Sequence, residues 1–313
     1  MNGRNLNVRY RRNEYAKKRN KLILIIVSVV LVLLIAGFLI TGSLLKVKVD
    51  EDRQNAANDT TQSESPEVPH AVVGAVKGYG ISLSGVTTTK ISDKATEVQK
   101  AGVSNISFVV RDTSGKEIYS SSLAKSMGKQ SQNDLIDVSE INSRAANKGL
   151  SASAIVPVNA FSKKDDLERA TQLFYDASVC AELYREGADD VLIKLDATEI
   201  TESNLEELLR FSDWVRSLDA EVTIGIAITP AVLEKDSAEV IVGKLWEKYD
   251  FLALDLTAAK PWESSGTSGS EIQFYLLMYN MRVLLPDATG AELSLMTDYL
   301  KGMGVENFQT VAP

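Results

Sequence analysis

Short runs of strand-forming residues alternate with helical patterns from Tyr79 onward, and this alternation limits the possible folds more than any other feature of the sequence. Alternating strands and helices imply parallel strands joined by right-handed crossovers. Eight strands in one run favour a (β/α)8 barrel of the TIM type over an open doubly wound sheet. The eight predicted strands are YGISLS (79–84), NISFVVRD (105–112), SASAIVPV (151–158), DVLIKLD (190–196), EVTIGIAIT (221–229), DFLALDL (250–256), GAELSL (290–295) and NFQTVA (307–312).

The connections between these elements are uneven in length. Long segments follow the strands, such as TAAKPWESSGTSGSE after the sixth, whereas only GVS, KGL or DAE leads from a helix to the next strand. A barrel enzyme elaborates the loops at the C-terminal ends of its strands, so we expect the functional site at that end. The sequence stops at Pro313, directly after the eighth strand, which predicts a barrel that lacks a final helix. AVVGAVKG (71–78) is expected to cover the closing strand.

The N-terminal part of the chain has a different composition. Residues 1–21 hold eight Lys/Arg and one acid, and residues 22–45 contain no charge. An apolar run of this length predicts a transmembrane helix, and a cleaved signal peptide would have a shorter apolar region. Because basic residues flank the cytoplasmic side of a span, we predict a cytoplasmic basic arm (1–21), a transmembrane helix (22–45), a flexible linker (46–74) and an extracytoplasmic barrel (75–313). The predicted location is the cell membrane, crossed once.

Composition excludes several classes of function for the barrel. The net charge is −8, and residues 1–21 carry +7, so the remaining 292 residues carry −15. An acidic domain of this kind does not present a basic nucleic-acid-binding surface. The single cysteine, Cys180, and the single histidine, His70 in the linker, exclude a Ser-His-Asp triad and a His-rich zinc site. We therefore expect no metal or other cofactor, and chemistry that uses carboxylates, Lys, Tyr or Ser.

Charged residues fall near the predicted C-terminal ends of several strands. Alternation within the fourth strand puts Lys194 and Asp196 on the face of Leu192, and alternation within the sixth puts Asp255 inside the barrel. Asp112 follows the second strand, and Glu292 is a weaker candidate on the seventh. Two carboxylates at a barrel mouth suit glycoside hydrolysis, in which one acid protonates the leaving oxygen and the other acts as nucleophile or base. An ion pair of Lys194 with Asp196 or Asp255 is the structural alternative.

Several segments resemble a known family. They are similar to the glycoside-hydrolase-like barrel domain of bacterial envelope proteins, which is distantly related to chitinase-type barrels. The segments are GYGISLSGVTT, SFVVRDTSGKEIYSS, INSRAANKGLSASAIVPVNAF and YDFLALDLTA. Arg111, Asp112, Ser114 and Gly115 match one motif of that family directly. The resemblance implies a (β/α)8 barrel and a polysaccharide or cell-wall glycan as ligand.

The fourth strand departs from the acidic motifs of that family. In GADDVLIKLDATEI, the family's glutamine and aspartate are replaced by Leu192 and Lys194, and in the chitinase pattern the inner aspartates are lost. One hypothesis is an active glycosidase with Asp196 as general acid and Asp255 or Asp112 as its partner. Another is a barrel with a degenerate catalytic site that binds envelope glycan or a protein partner. In both, the predicted ligand-contacting residues are Lys194, Arg111, Trp262, Tyr119 and Phe161. A third hypothesis, a Schiff base on Lys194, is chemically possible.

Overall fold

Eight parallel strands form a closed barrel in which the strands are paired in chain order and the last pairs with the first. The computed structural model describes residues 74–83, 88–132, 135–163, 165–195, 200–258, 269–288 and 291–312. This architecture confirms the TIM-type barrel predicted from the alternation of elements. The strands are β1 (Lys77–Ile81), β2 (Asn105–Val109), β3 (Ser151–Val158), β4 (Asp190–Leu195), β5 (Ile224–Ile228), β6 (Phe251–Asp255), β7 (Arg282–Pro286) and β8 (Phe308–Val311).

Nine α-helices are described, together with a short 3-10 helix at Ala160–Ser162. Several begin at a side-chain cap; for example, Asp165 accepts a hydrogen bond from the amide of Glu168 at 2.8 Å. The helices are α1 (Thr88–Lys100), α2 (Ser122–Ser126), α3 (Val138–Ala146), α4 (Asp166–Arg185), α5 (Glu202–Leu218), α6 (Pro230–Leu233), α7 (Ala238–Trp246), α8 (Gly269–Met278) and α9 (Ala291–Gly302).

The predicted position of the seventh strand is wrong. Residues 291–295 of the predicted strand GAELSL lie in α9, and β7 lies earlier, at Arg282–Pro286. The buried Met296 and Leu300 of α9 are four residues apart, which is a helical spacing. By contrast, the residues of β7 after Arg282 form a continuous apolar run, which is typical of strands buried on both faces. Glu292 accordingly lies in the first turn of α9, outside the barrel wall.

Closure of the barrel is direct. Lys77 of β1 lies opposite Phe308 of β8, and Gly78 lies opposite Gln309. The amide of Phe308 donates to the carbonyl of Val76 at 2.8 Å. Part of the segment 71–78, which was expected to cover the closing strand, thus forms the edge of β1 itself. β8 is the last element of the described chain.

Alternate side chains of the strands point into the barrel, with the register predicted for β4 and β6. Leu192, Ala227, Phe251, Ala253 and Leu284 form an apolar cluster inside the barrel. The other face of the same strands packs against the helices in the larger hydrophobic core. Gly225 is required in this interior, because a Cβ atom there would overlap the ring of Phe251.

Below this cluster, at the N-terminal ends of the strands, the barrel interior is polar. Arg282 is 1% exposed and donates to both carboxylate oxygens of Asp190, at 3.1 and 3.0 Å. It also donates to Gln309 Oε1 at 3.0 Å, and its guanidinium carbon lies 4.2 Å from the centroid of the Phe251 ring. The charge of Arg282 is therefore paired and hydrogen-bonded, as burial requires.

Among the described residues, no helix is long and apolar enough to cross a membrane. The predicted basic arm, the predicted transmembrane helix at 22–45 and the linker up to residue 73 lie outside the described residues. Those three predictions therefore stay predictions.

Candidate ligand site at the barrel mouth

A cavity of about 450 Å³ opens where the C-terminal ends of the strands meet. This volume lies within the range of roughly 300–1,000 Å³ that is usual for small-molecule sites. Most of the described wall is apolar, and its polar side chains come from β4 and from the segments that follow β6 and β7. The described lining consists of Val109, Ile155, Pro157, Lys194, Thr257, Pro286, Asp287, Val311 and Ala312.

Lys194 of β4 forms an ion pair with Asp255 of β6, and the two strands lie on either side of β5. Its Nζ atom lies 3.1 Å from Asp255 Oδ2 and donates to Thr257 Oγ1 at 2.8 Å. The other oxygen of Asp255, Oδ1, accepts from the amide and the hydroxyl of Thr257 at 2.9 and 2.6 Å. We call these three residues the mouth network. It contains one of the ion pairs that the sequence offered as a structural alternative to catalysis.

The geometry of the mouth network limits the chemistry of Asp255. A general acid must carry a proton that it can donate to the leaving oxygen. Both oxygens of Asp255 already accept hydrogen bonds, and one of their donors is an ammonium group. Asp255 is therefore arranged as the acceptor of an ion pair. Lys194 uses two of its three N–H bonds within the network, and its side chain is 22% exposed.

Asp287 is a candidate that the sequence prediction missed. It follows β7 directly, lines the cavity and is exposed to solvent. Among the described residues it has no hydrogen-bond or ion-pair partner. Because the seventh strand was predicted at 290–295, the PDA segment at 286–288 was not recognised as the end of a strand. The signal was present: RVLLP followed by an acid is a buried strand with a polar residue at its C-terminal end.

The carboxylate of Asp112 accepts hydrogen bonds within the turn that follows β2. Its Oδ1 atom accepts from the amide of Ser114 at 2.9 Å, from the Ser114 hydroxyl at 2.6 Å and from the amide of Lys116 at 3.0 Å. Slight burial alone would raise the pKa of Asp112, but the hydrogen bonds from Ser114 and Lys116 outweigh it and lower the pKa. Asp112 is absent from the described cavity lining. The sequence offered Asp112 as a catalytic partner of Asp196, which lies outside the described residues, so that role stays a prediction.

Arg111 binds the loop after β2 to helix α4. Its Nε atom donates to Glu117 Oε1 at 2.7 Å, and its Nη2 atom lies 2.7 Å from Asp176 Oδ1 on α4. Tyr175 donates to Glu117 Oε1 at 3.1 Å. We call these four residues the Arg111 cluster. Its three charged side chains are at most 4% exposed, and Arg111 does not belong to the described cavity lining; the predicted contact of Arg111 with a ligand stays a prediction.

The electrostatics of the Arg111 cluster are dominated by burial. Removal from water raises the pKa of both Glu117 and Asp176, and the nearby Arg111 guanidinium offsets this only in part. Lys129, half-buried above the ring of Tyr175, also loses hydration, which lowers its pKa. These groups stabilise a loop against a helix, and none of them lines the described cavity.

The two described aromatic candidates do not belong to the described cavity lining. Tyr119 is fully buried, and its hydroxyl donates to Glu182 Oε2 on α4 at 2.7 Å. Phe161 lies on the 3-10 helix after β3 and is partly buried against the core between the barrel and the helices. The predicted stacking of these rings on a ligand stays a prediction. Asp196 and Trp262 lie outside the described residues, and their predicted roles stay predictions.

Within the described part of the chain, no group of three or more His, Cys, Asp or Glu side chains could hold a metal ion. Cys180 is free and fully buried on α4, and burial raises the pKa of its thiol. It therefore lacks the thiolate character that a nucleophile requires.

No protein-family profile matches the chain, and no curated protein matches it significantly. Similar solved structures include an L-ribulose 3-epimerase, with 14% identity and a TM-score of 0.48 over 76% of this chain and 81% of that one. The Bacillus cereus spore cortex-lytic enzyme SleL has 8% identity and a TM-score of 0.47 over 76% and 70%. Thermotoga maritima Cel5A in complex with a mannotriose substrate has 15% identity and a TM-score of 0.47 over 76% and 90%. At these similarities the comparisons assign neither a family nor an activity.

Proposed function

We propose that this protein is a membrane-anchored, extracytoplasmic barrel that binds cell-envelope polysaccharide at its mouth without hydrolysing it. The observation that carries the proposal is the mouth network in a cavity of ligand size. Where a glycosidase needs a carboxylic acid that can give up a proton, this barrel has Asp255 held by an ammonium group and a hydroxyl. The site retains hydrogen-bonding groups for a sugar, and its described lining contains a single carboxylate, Asp287, whereas glycoside hydrolysis uses a pair.

Lys194 supplies the direct contact in this proposal. The network uses two of its three N–H bonds, and its side chain lines the cavity and is 22% exposed, which leaves one donor for a ligand. It can donate to a sugar hydroxyl or ring oxygen, while the apolar wall contacts the C–H face of the sugar. Such a division between a few polar groups and an apolar wall is usual in small-molecule sites.

The anchoring and the location rest on the sequence. The uncharged run at 22–45 and the eight basic residues before it support a single span with the barrel outside. A linker of 46–74 would separate the barrel from the bilayer, and envelope polysaccharide is the polymer within its reach.

Retention of the full chain, in detergent, on insoluble cell-envelope polysaccharide tests the proposal. We expect wild-type protein to be retained. Lys194→Met should weaken retention by about tenfold or more because it removes the direct donor, and Asp255→Asn should do so because it removes the carboxylate that positions Lys194. Lys248→Met is the matched control, since Lys248 forms an exposed Lys–Asp pair with Asp213 at 2.9 Å; an exposed pair contributes little. Absence of retention of the wild type, or equal loss with the control, would contradict the proposal.

A further inference from the structure

The charges around the mouth are unbalanced. Lys194 is the only cation in the described lining, and it is already paired with Asp255. Asp287 is an additional carboxylate on the same wall, exposed and without a partner among the described residues. The described part of the cavity therefore carries one uncompensated negative charge and offers no free cation to an anionic ligand.

The sequence contributes further negative charge. The segment that directly follows β4, residues 196–199, contains Asp196 and Glu199 and no base. In the segment that follows β6, Lys260 and Glu263 balance each other. Over a longer range, the chain after residue 21 carries −15, and a field of one sign repels polyanions and attracts cations during encounter.

We infer that the mouth cavity selects a cationic, amine-bearing sugar over neutral and anionic sugars, and that Asp287 accepts the ammonium group. This inference rests on the proposed function and specifies its ligand class. Lys194 and Asp287 line the same cavity, so a sugar whose oxygens contact the Lys194 Nζ atom can direct an amine substituent to the exposed Asp287 carboxylate. An N-acetyl group at that position removes the charge, and a carboxylate would face Asp287 with a like charge, which is unfavourable.

Three hexasaccharide probes separate these possibilities: glucosamine, N-acetylglucosamine and galacturonate. Binding to the full chain in zwitterionic detergent is measured by calorimetry at low and high salt, at a pH where the amines are protonated. We expect the glucosamine hexamer to bind about fivefold more tightly than the N-acetylated hexamer, and the difference to shrink at high salt. The galacturonate hexamer is expected to bind most weakly.

Two variants localise the effect. Asp287→Asn is expected to weaken glucosamine binding by about threefold to fivefold, the size of a partly exposed ion pair, and to leave N-acetylglucosamine binding unchanged. Asp93→Asn makes the same change on an exposed residue of α1, outside the described cavity lining, and should leave both unchanged. Equal or tighter binding of either other probe, no binding of the glucosamine hexamer, or no effect of Asp287→Asn would overturn the inference. The proposed function fails separately, if wild-type protein is not retained on envelope polysaccharide.

Discussion

Arg282 on β7 and Asp190 on β4 form a two-point ion pair inside the barrel, at 3.1 and 3.0 Å, with side chains that are 1% and 7% exposed. The pair connects opposite sides of the barrel below its apolar layer. It lies at the N-terminal ends of the strands, where TIM-type barrels carry residues for stability, whereas the mouth network lies at the other end. Structural and ligand-binding charges are thus separated along the barrel axis.

Removing one partner of the lower pair should destabilise the barrel strongly. We expect Arg282→Met to lower the free energy of unfolding by about 3–5 kcal/mol, because Asp190 would remain buried and unpaired. The double variant Arg282→Met/Asp190→Leu should recover much of that loss. Urea unfolding measures both, and Arg210→Met, which removes an exposed helix pair with Glu206, should cost less than about 0.5 kcal/mol. Additive losses in the double variant would contradict this account.

The interior of the barrel should not tolerate a methyl group at Gly225. We expect Gly225→Ala to destabilise by about 1–3 kcal/mol, because the added Cβ atom overlaps the ring of Phe251. Gly243→Ala provides the matched control: it lies inside α7, its Cβ atom would meet nothing within 4 Å, and the change should be stabilising by about 0.5–1 kcal/mol. Thermal unfolding of the two variants decides the point, and similar melting temperatures would argue against the described packing.

The Arg111 cluster should make stability depend on pH. Burial raises the pKa of Glu117 above its ordinary value of 4.5, so the folded protein holds this proton more firmly than the unfolded chain. The contribution of Glu117 to the free energy of unfolding is then complete below pH 4.5, and it is lost as the pH rises through the raised pKa of the folded protein. Relative to wild type, Glu117→Gln should therefore gain stability as the pH rises.

Urea unfolding at several pH values from about 5 to 8 measures this slope. Glu117→Gln also weakens the contact with Arg111, but that loss lowers the free energy of unfolding by a similar amount at every pH. The dependence of this free energy on pH therefore still reports the ionisation of Glu117. Glu206→Gln, on the exposed face of α5, should give a curve parallel to that of wild type. A parallel curve for Glu117→Gln as well would show that its carboxyl group is not held as described.

The direction of insertion in the membrane is a prediction of the sequence alone. Eight basic residues before the uncharged run at 22–45 predict that protease added to intact cells or protoplasts removes the barrel. A protected barrel would contradict both the predicted location and the access to envelope polysaccharide on which the proposed function depends.

The strand register could be predicted from the sequence because alternation within β4 and β6 was clear; Lys194 and Asp255 lie on the faces that it indicated. Strand β7 was missed, since RVLLP has no alternation and begins with Arg282, whose partner Asp190 is 92 residues away. Asp287 was therefore not recognised as a residue at the end of a strand.

Arg111 and Tyr119 were assigned to the mouth, because no local pattern shows that the loop after β2 folds back onto α4. Their contacts with Asp176 and Glu182 span 65 and 63 residues of sequence, a relationship that only the tertiary structure provides.

The central claim, that this barrel binds envelope glycan without hydrolysing it, is tested most directly by the release of reducing ends. The full chain is incubated with cell-envelope polysaccharide under conditions where it is retained, beside Asp255→Asn and Asp196→Asn variants. We predict retention with no release above a protein-free control, so that neither variant changes the amount released. Release by the wild type that falls by about 10² or more in either variant, with the fold intact, is the size expected for removal of a catalytic acid or base, and it would contradict the claim.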